Sequence, residues 1–259
     1  MNFCLLMTAE LTQDAFLNGA LQLWQPKDGY RAATDPVLLA ASVPAKAGET
    51  VLDIGCGVGT AGLCLAHRVD VALTGLEKDA LLAELAGRNA TENNLKAEII
   101  ESDLSNPTED LKSRVFDHVI TNPPYFESGS VKAPRSSIKS AANISALSLQ
   151  DWLTLSLKRL RQGGRISVIM LAERLDDILT ALSGPCGGIM VLPIAAREGK
   201  SAKRVIVQAQ KARSAPLQIL PPFVMHQGAH HDGDRENYSA AARAILRDGA
   251  AMDAFDPRI

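Results

Sequence analysis

From Val51 onward the chain alternates short apolar runs with stretches whose apolar residues recur every three or four positions. The runs at 51–54, 71–76, 97–101, 116–121, 165–171 and 189–194 predict strands. Between them, 60–68, 79–94, a segment capped by Ser148 and running to 160, and 172–182 predict helices, and Gly163-Gly164 is expected to terminate the third of these. Alternating strand and helix implies crossover connections, and hence an α/β fold with a parallel sheet covered on both faces. The rhythm breaks after Ile194. The run 205–209 follows across a basic, glycine-containing connection too short for a crossover helix, so this last pair is expected to be an antiparallel hairpin.

The two ends of the chain are patterned differently. Leu21 to Gln25 alternates apolar and polar, and Pro26, Lys27, Asp28 and Gly29 supply turn residues before Tyr30, which together predict a small hairpin there. Asp35 and Pro36 read as the N-cap and first position of a helix that ends before Gly48. Residues 217–225, interrupted by Pro221-Pro222, predict an edge strand or an extended segment, and 239–246 a terminal helix. The polar connection 127–146 is longer than ordinary loops and is a candidate mobile functional loop.

Composition narrows the function classes. Lys plus Arg number 27 and Asp plus Glu 29, giving a net charge of −2, so any polyanion must meet a local patch and not the whole surface. A hydrophobic fraction of 46% excludes a globally disordered chain. No apolar run approaches the roughly 18 residues of a membrane span. The first ten residues lack the basic start and cleavage pattern of a secretory signal. Four cysteines without a CxxC pair fit a reducing, cytoplasmic setting.

The candidate chemistry begins at Val51-Leu52-Asp53-Ile54-Gly55-Cys56-Gly57-Val58-Gly59-Thr60, a strand running through a glycine turn into a helix. Glycines let a ligand approach the backbone closely. Gly62 lies three after Gly59, which brings a nicotinamide dinucleotide into consideration. Asp53 argues against it, because a carboxylate there repels a pyrophosphate but suits a cationic amino-acid ligand such as S-adenosylmethionine. Glu77 ends the second strand, where a carboxylate accepts ribose hydroxyls, and Asp103 ends the third, where it can receive an adenine amino group. The candidate cofactor contacts are thus Asp53, Gly55, Gly57, Glu77, Asp103 and, beyond the next strand, Asn122.

Asn122-Pro123-Pro124-Tyr125 follows the fourth strand of this series. Two prolines stiffen the turn and leave the Asn122 side-chain oxygen and the Pro123 carbonyl as acceptors that can converge on one NH₂ group. Tyr125 can stack on a planar substrate. Asn122, Pro123 and Tyr125 are therefore the candidate catalytic residues.

With these features the chain resembles the class I S-adenosylmethionine-dependent methyltransferases that modify amino nitrogens. The resemblance covers roughly 51–210 and implies a doubly wound, Rossmann-like seven-stranded sheet, mostly parallel with a reversed final hairpin. The segment Gln25-Pro26-Lys27-Asp28-Gly29-Tyr30-Arg31, with Thr34-Asp35-Pro36-Val37-Leu38-Leu39-Ala40, resembles more narrowly the bacterial tRNA adenine-N(6) methyltransferases of the valine-tRNA type. That likeness implies an RNA substrate, tRNA, and places Tyr30, Arg31, Thr34 and Asp35 around the methionine end of the cofactor. It departs from the family at Tyr238-Ser239-Ala240-Ala241, which only approximates the usual ending. The chain reads as one domain: 1–50 a hairpin and lid, with Phe16, Leu17, Tyr30 and the Asp35 helix over the cofactor; 51–210 the catalytic core; 211–259 a carboxy-terminal extension.

Lys132, Arg135 and Lys139 in the long loop, with Lys200, Lys203, Arg204, Lys211 and Arg213, are the candidate polyanion contacts. Arg159, Arg161 and Arg165 are assigned to the dipole of a helix end. Trp24, Trp152 and Phe223 are read as core or cover residues. His230, His231, Asp232 and Asp234 are not read as a metal site, because adjacent histidines diverge and no second cluster completes the set. Two rivals stand beside adenine methylation. A protein glutamine methyltransferase would use the same turn, but such enzymes carry a helical recognition domain ahead of the catalytic one, and about 50 residues precede Val51. A noncatalytic module would not need an intact Asn122 to Tyr125 turn.

Overall fold

In a computed structural model of the protein, residues 10–29, 31–124, 147–228 and 237–255 are described. Strands β1 (Leu11–Phe16) and β2 (Leu21–Pro26) pair antiparallel, with Leu11 opposite Pro26 and Phe16 opposite Leu21. The hairpin therefore turns at 17–20 and not at Pro26 to Gly29. Asn18 and Gly19 take the left-handed backbone this needs, with φ of 56° and 89°. Helix α1 (Thr34–Ser42) follows, with Ala33 as N-cap and no side-chain cap. Asp35 thus lies inside the first turn instead of capping it, and its carboxylate pairs with Arg204 at 2.8 Å.

The main sheet is built around β3 (Thr50–Ile54). Helix α2 (Thr60–Arg68), β4 (Ala72–Glu77), α3 (Ala80–Glu92), β5 (Ala97–Glu101), the short α4 (Glu109–Ser113) and β6 (Phe116–Thr121) follow. Then come α5 (Leu149–Lys158), β7 (Leu160–Leu171), α6 (Leu175–Leu182), β8 (Cys186–Ala195) and β9 (Arg204–Lys211). β4 and β6 flank β3, β5 lies outside β4 and β7 outside β6, all parallel. β9 inserts antiparallel between β7 and β8, which is the reversed hairpin expected from the short connection. These seven strands carry two additions at the outer edge: β10 (Gln218–Ile219) and β11 (Phe223–Val224) run parallel to β8 on either side of Pro221-Pro222. Helix α7 (Ala240–Asp248) is capped by the Ser239 hydroxyl.

Adjacent residues of one strand feed opposite cores, as strand geometry requires. Val119, Val168 and Val207 pack with α5 and α6 residues such as Leu153 and Ile178, whereas Ile120, Ile169 and Ile206 pack with Leu39 of α1, Leu63 of α2 and Ile245 of α7. Both cores are continuous with the elements around them, and the front hairpin belongs to the second through Leu17, Leu21 and Leu23.

Gly163-Gly164 does not end a helix. α5 stops at Lys158, and the two glycines lie within β7, where the pairing with β6 shifts register between Leu160 and Arg165. A Cβ on Gly164 would lie 2.9 Å from the Asp117 carbonyl oxygen, so the close approach of β6 is what demands glycine. The end of α5 is served by Lys211, whose Nζ donates to the Leu157 and Leu160 carbonyls at 2.7 Å each. Arg161 instead pairs with Asp117 at 2.5 Å, and Arg159 donates to the Leu111 carbonyl.

Two asparagines one helical turn apart fasten the hairpin to the core. Asn93 accepts from the Gln22 N–H and donates to the Gln22 carbonyl, at 2.9 and 2.8 Å. Asn89, fully buried, accepts from the Trp24 N–H at 2.7 Å and donates to the carbonyls of Trp24 and Val58. Asn89→Ala leaves one buried donor and two acceptors short of a partner, and urea titration should show a loss of about 1–3 kcal/mol or more.

Candidate active site

The turn from β3 into α2 sits at the carboxyl edge of the sheet. Gly55, Gly57 and Gly59 have φ of 69°, 56° and 88°, so the chain reverses within five residues. Gly55 is doubly constrained, because a Cβ there would also lie 3.0 Å from Cζ2 of Trp152. Gly55 and Cys56 donate their N–H groups to the Leu76 carbonyl at 2.8 and 3.1 Å, tying the turn to β4. Cys56 packs over Gly75, where any Cβ would approach its sulfur to 2.9 Å.

Both acids nearest the turn accept backbone N–H groups, Glu77 from the turn itself and Asp53 from the head of α2. Glu77 accepts from the Gly57 N–H through Oε2 and from the Lys78 and Asp79 N–H groups through Oε1, each at 2.9 Å. Asp53 accepts from the Gly62 N–H at 2.9 Å. Burial pushes the Asp53 carboxyl up from 3.8 to about 7, with the Gly62 N–H opposing and the nearby Glu77 charge adding to the rise. Asp103 accepts the hydroxyl and N–H of Ser105 on Oδ1, which hold its carboxyl below the ordinary range.

A cavity of about 550 Å³ follows the carboxyl ends of β5, β4, β3 and β6. Asp53, Gly55, Gly57, Glu77, Asp103, Asn122 and Pro123 all line it. The sequence-derived set therefore converges on one cleft, with Asn122 and Pro123 at its β6 side. Of the front segment, Ala32 and Pro36 reach this cavity. Leu17 instead packs at a separate contact with Val37, Ile245 and Gly249, and Phe16 sides with the same core. Arg31 is turned into the hairpin, donating to Thr12 at 2.7 Å and pairing with Asp14 at 2.5 Å. Thr34 is the first residue of α1 and is absent from the cavity lining.

Among the basic candidates, Lys200 and Lys203 are exposed on the β8–β9 connection. β8 runs parallel to β6, so this connection lies at the same sheet edge as Asn122. Arg204 is engaged by Asp35, Lys211 by the end of α5, and Arg213 by Gln210 at 2.9 Å. Tyr30, Tyr125, Lys132, Arg135 and Lys139 lie outside the described residues, as do the 127–146 loop and the histidines near 230.

The structure adds residues that spacing did not mark. Trp152, read as core or cover, forms a cavity wall, and so do Leu82, Leu104 and Leu147. Thr60 also lines the cavity; its hydroxyl is buried and makes no hydrogen bond. Its position at the start of α2, immediately after the third glycine, is the signal that could have singled it out.

Sheet order, glycine turn and acidic strand ends define a class I S-adenosylmethionine-dependent methyltransferase. The chain belongs to the methyltransferase small domain family, whose model matches residues 32–175. A tRNA1(Val) (adenine(37)-N6)-methyltransferase of Shewanella baltica is 30% identical over 183 residues, 69% of this chain and 76% of that protein. One from Bacteroides fragilis is 30% identical over 172 residues, 64% of this chain and 71% of that protein. Among solved structures, one described as a predicted O-methyltransferase of Agrobacterium tumefaciens superposes with a TM-score of 0.66 at 25% identity, covering 84% of this chain and 98% of that one. A T. thermophilus 16S rRNA N2 G1207 methyltransferase, solved with AdoMet and guanosine, shares the fold with a TM-score of 0.54 at 20% identity, covering 78% and 50%.

The cofactor is S-adenosylmethionine, and the cleft has the features to receive it. A Cβ at Gly57 would meet no protein atom within 4 Å, so the cradle at that point is open. The unpartnered Thr60 hydroxyl at the head of α2 suits the carboxylate of an amino-acid ligand, which the helix dipole also favours. Thr60→Val should weaken S-adenosylhomocysteine binding about threefold to tenfold in calorimetry while leaving the melting temperature equal or higher, because an unsatisfied buried hydroxyl is removed.

Asp53 carries the opposite balance. Its folded-state pKa exceeds the unfolded value, so the ligand-free protein loses stability as pH rises from about 4 to about 7. Asp53→Asn removes that loss. Denaturant midpoints should show the variant gaining on wild type across this range, with the gap level above pH 7; a gap independent of pH would mean that Asp53 ionises normally in the fold.

Proposed function

We propose that this enzyme methylates an exocyclic amino nitrogen, adenine N(6) in tRNA. The observation that carries the reading is that Asn122 and Pro123 open into the same cleft as the glycine turn and the three acids. The named activity of the Shewanella and Bacteroides relatives supports it. So does the placement of Lys200 and Lys203 at the sheet edge that bears Asn122, where a nucleic-acid backbone can be met beside the reacting base.

Bound S-adenosylmethionine supplies an electrophilic methyl group on a sulfonium. The protein's own work is orientation. An adenine amino nitrogen is a weak nucleophile because its lone pair is delocalised into the ring. The Asn122 side-chain oxygen and the Pro123 carbonyl accept its two N–H bonds, which directs the lone pair toward the methyl carbon. Pro123 has no N–H and a fixed φ, so the turn does not relax when the base leaves. Tyr125 stacks on the base. Asp53, Glu77 and Asp103 hold the amino, ribose and adenine parts of the cofactor, and as the methyl forms its bond to nitrogen and leaves sulfur, one of the two original amino protons departs to solvent, with no covalent enzyme intermediate.

Asn122→Ala should reduce kcat by about 100-fold or more while the dissociation constant for S-adenosylhomocysteine changes by less than about twofold. RNA from a strain lacking the gene, digested and analysed by mass spectrometry, should lack one N(6)-methyladenosine that returns with the wild-type gene and not with Asn122→Ala. An unchanged nucleoside profile refutes the tRNA substrate.

Binding of tRNA should weaken with salt, and Lys200→Ala with Lys203→Ala should lower the slope of log affinity against log salt by about 1 to 2. An unchanged slope removes this connection from the interface.

A further inference from the structure

The cofactor turn and the acceptor turn hang from neighbouring strands, and one side chain touches both. Trp152 stands in the first turn of α5, its backbone N–H donating to the Ser148 carbonyl at 2.9 Å. Its indole Nε1 donates to the Thr121 hydroxyl at 3.0 Å, and that hydroxyl donates onward to the Ile54 carbonyl at 2.8 Å. Ile54 immediately precedes Gly55, Thr121 immediately precedes Asn122, and the two are register partners across β3 and β6. The indole ring also lies against Gly55, closely enough that a Cβ there would come within 3.0 Å of it.

We propose that Trp152 is a positioning residue that holds the Asn122 turn in register with the glycine turn, through the relay from its indole N–H to Thr121 to Ile54. The inference rests on the reading of Asn122 as the group that orients the substrate amine. The Thr121 hydroxyl is fully buried and has one proton, which the Ile54 carbonyl takes. It therefore needs an incoming donor, and Trp152 supplies it from the helix that closes this side of the cleft. The bonds run in one direction, and each polarises the next. A ring without the N–H fills the same wall but leaves the hydroxyl held from the Ile54 side alone, and a small displacement of Asn122 costs turnover without costing cofactor affinity.

Three variants separate this role from mere packing. Trp152→Phe keeps a ring and removes the donor, Thr121→Val keeps the shape and removes the relay, and Thr121→Ser restores the hydroxyl. Trp152→Phe and Thr121→Val should each lower kcat about tenfold or more, with S-adenosylhomocysteine affinity within about threefold of wild type. The double variant should be no worse than the more damaged single one, because both remove one relay. Thr121→Ser should return near wild-type turnover. Amide hydrogen exchange gives a readout that needs no substrate: S-adenosylhomocysteine should slow exchange at Thr121 and Asn122 in wild type and in Thr121→Ser, and not in Trp152→Phe. Wild-type turnover in Trp152→Phe, or exchange protection in that variant equal to wild type, overturns the proposal. If wild type leaves tRNA adenine unmethylated while the exchange pattern follows this expectation, the substrate assignment falls and the relay stands.

Discussion

The glycine turn and the head of α2 carry N–H groups that reach beyond their own segment, Gly55 and Cys56 to the Leu76 carbonyl of β4 and Gly57 and Gly62 to side-chain carboxylates, and the site depends on how these groups are satisfied. Glu77 takes the Gly57 N–H and Asp53 the Gly62 N–H, so two carboxylates at adjacent strand ends act as parts of the backbone scaffold. The groups that read as ligand contacts are thus also the groups that fix the turn's shape. Asp53 bears a cost for this, since burial raises its carboxyl to about 7 in the ligand-free protein. A cationic ligand beside it would relieve that cost and so would join folding of the turn to occupancy of the cleft.

The surrounding structure holds this edge still. Apolar residues on both faces of the strands anchor helices above and below, and Asn89 carries the support forward by bonding the hairpin at Trp24 and the glycine turn at Val58 with one amide. Asp35 and Arg204 join the head of α1 to the start of β9. The front hairpin is consequently a brace against α3 and α7, and among the described residues of the front segment Ala32 and Pro36 border the cleft.

The parallel sheet, the reversed hairpin and the acidic strand ends are legible because each is written in local spacing: short apolar runs between helical stretches, a connection too short to cross over, an acid at the end of a run. What spacing hides is anything decided by a distant partner. Asp35 followed by Pro36 has the form of a helix cap, and its actual partner lies 169 residues away. Gly163-Gly164 has the form of a helix stop, because close approach of a neighbouring strand and a left-handed cap demand the same residue. β1 escapes the pattern because no residue in it is fully buried: Leu11, Thr12, Asp14 and Phe16 are half-buried, and Gln13 and Ala15 are exposed. Trp152 reads as a core or cover residue because nothing in local spacing shows that its indole lies against Gly55 and borders a cavity.

The outer edge of the sheet has its own consequence. β8 would present a row of free backbone groups, but β10 and β11 cover it in two short stretches, and Pro221-Pro222 between them contribute no N–H. Another strand approaching from solvent therefore meets an interrupted ladder two residues long at a time, too short to seed growth of the sheet. Ile219, 72% exposed, sits on that margin without a continuous template beside it. The proline pair thus interrupts strand addition, letting an apolar edge face water without offering other chains a continuous template.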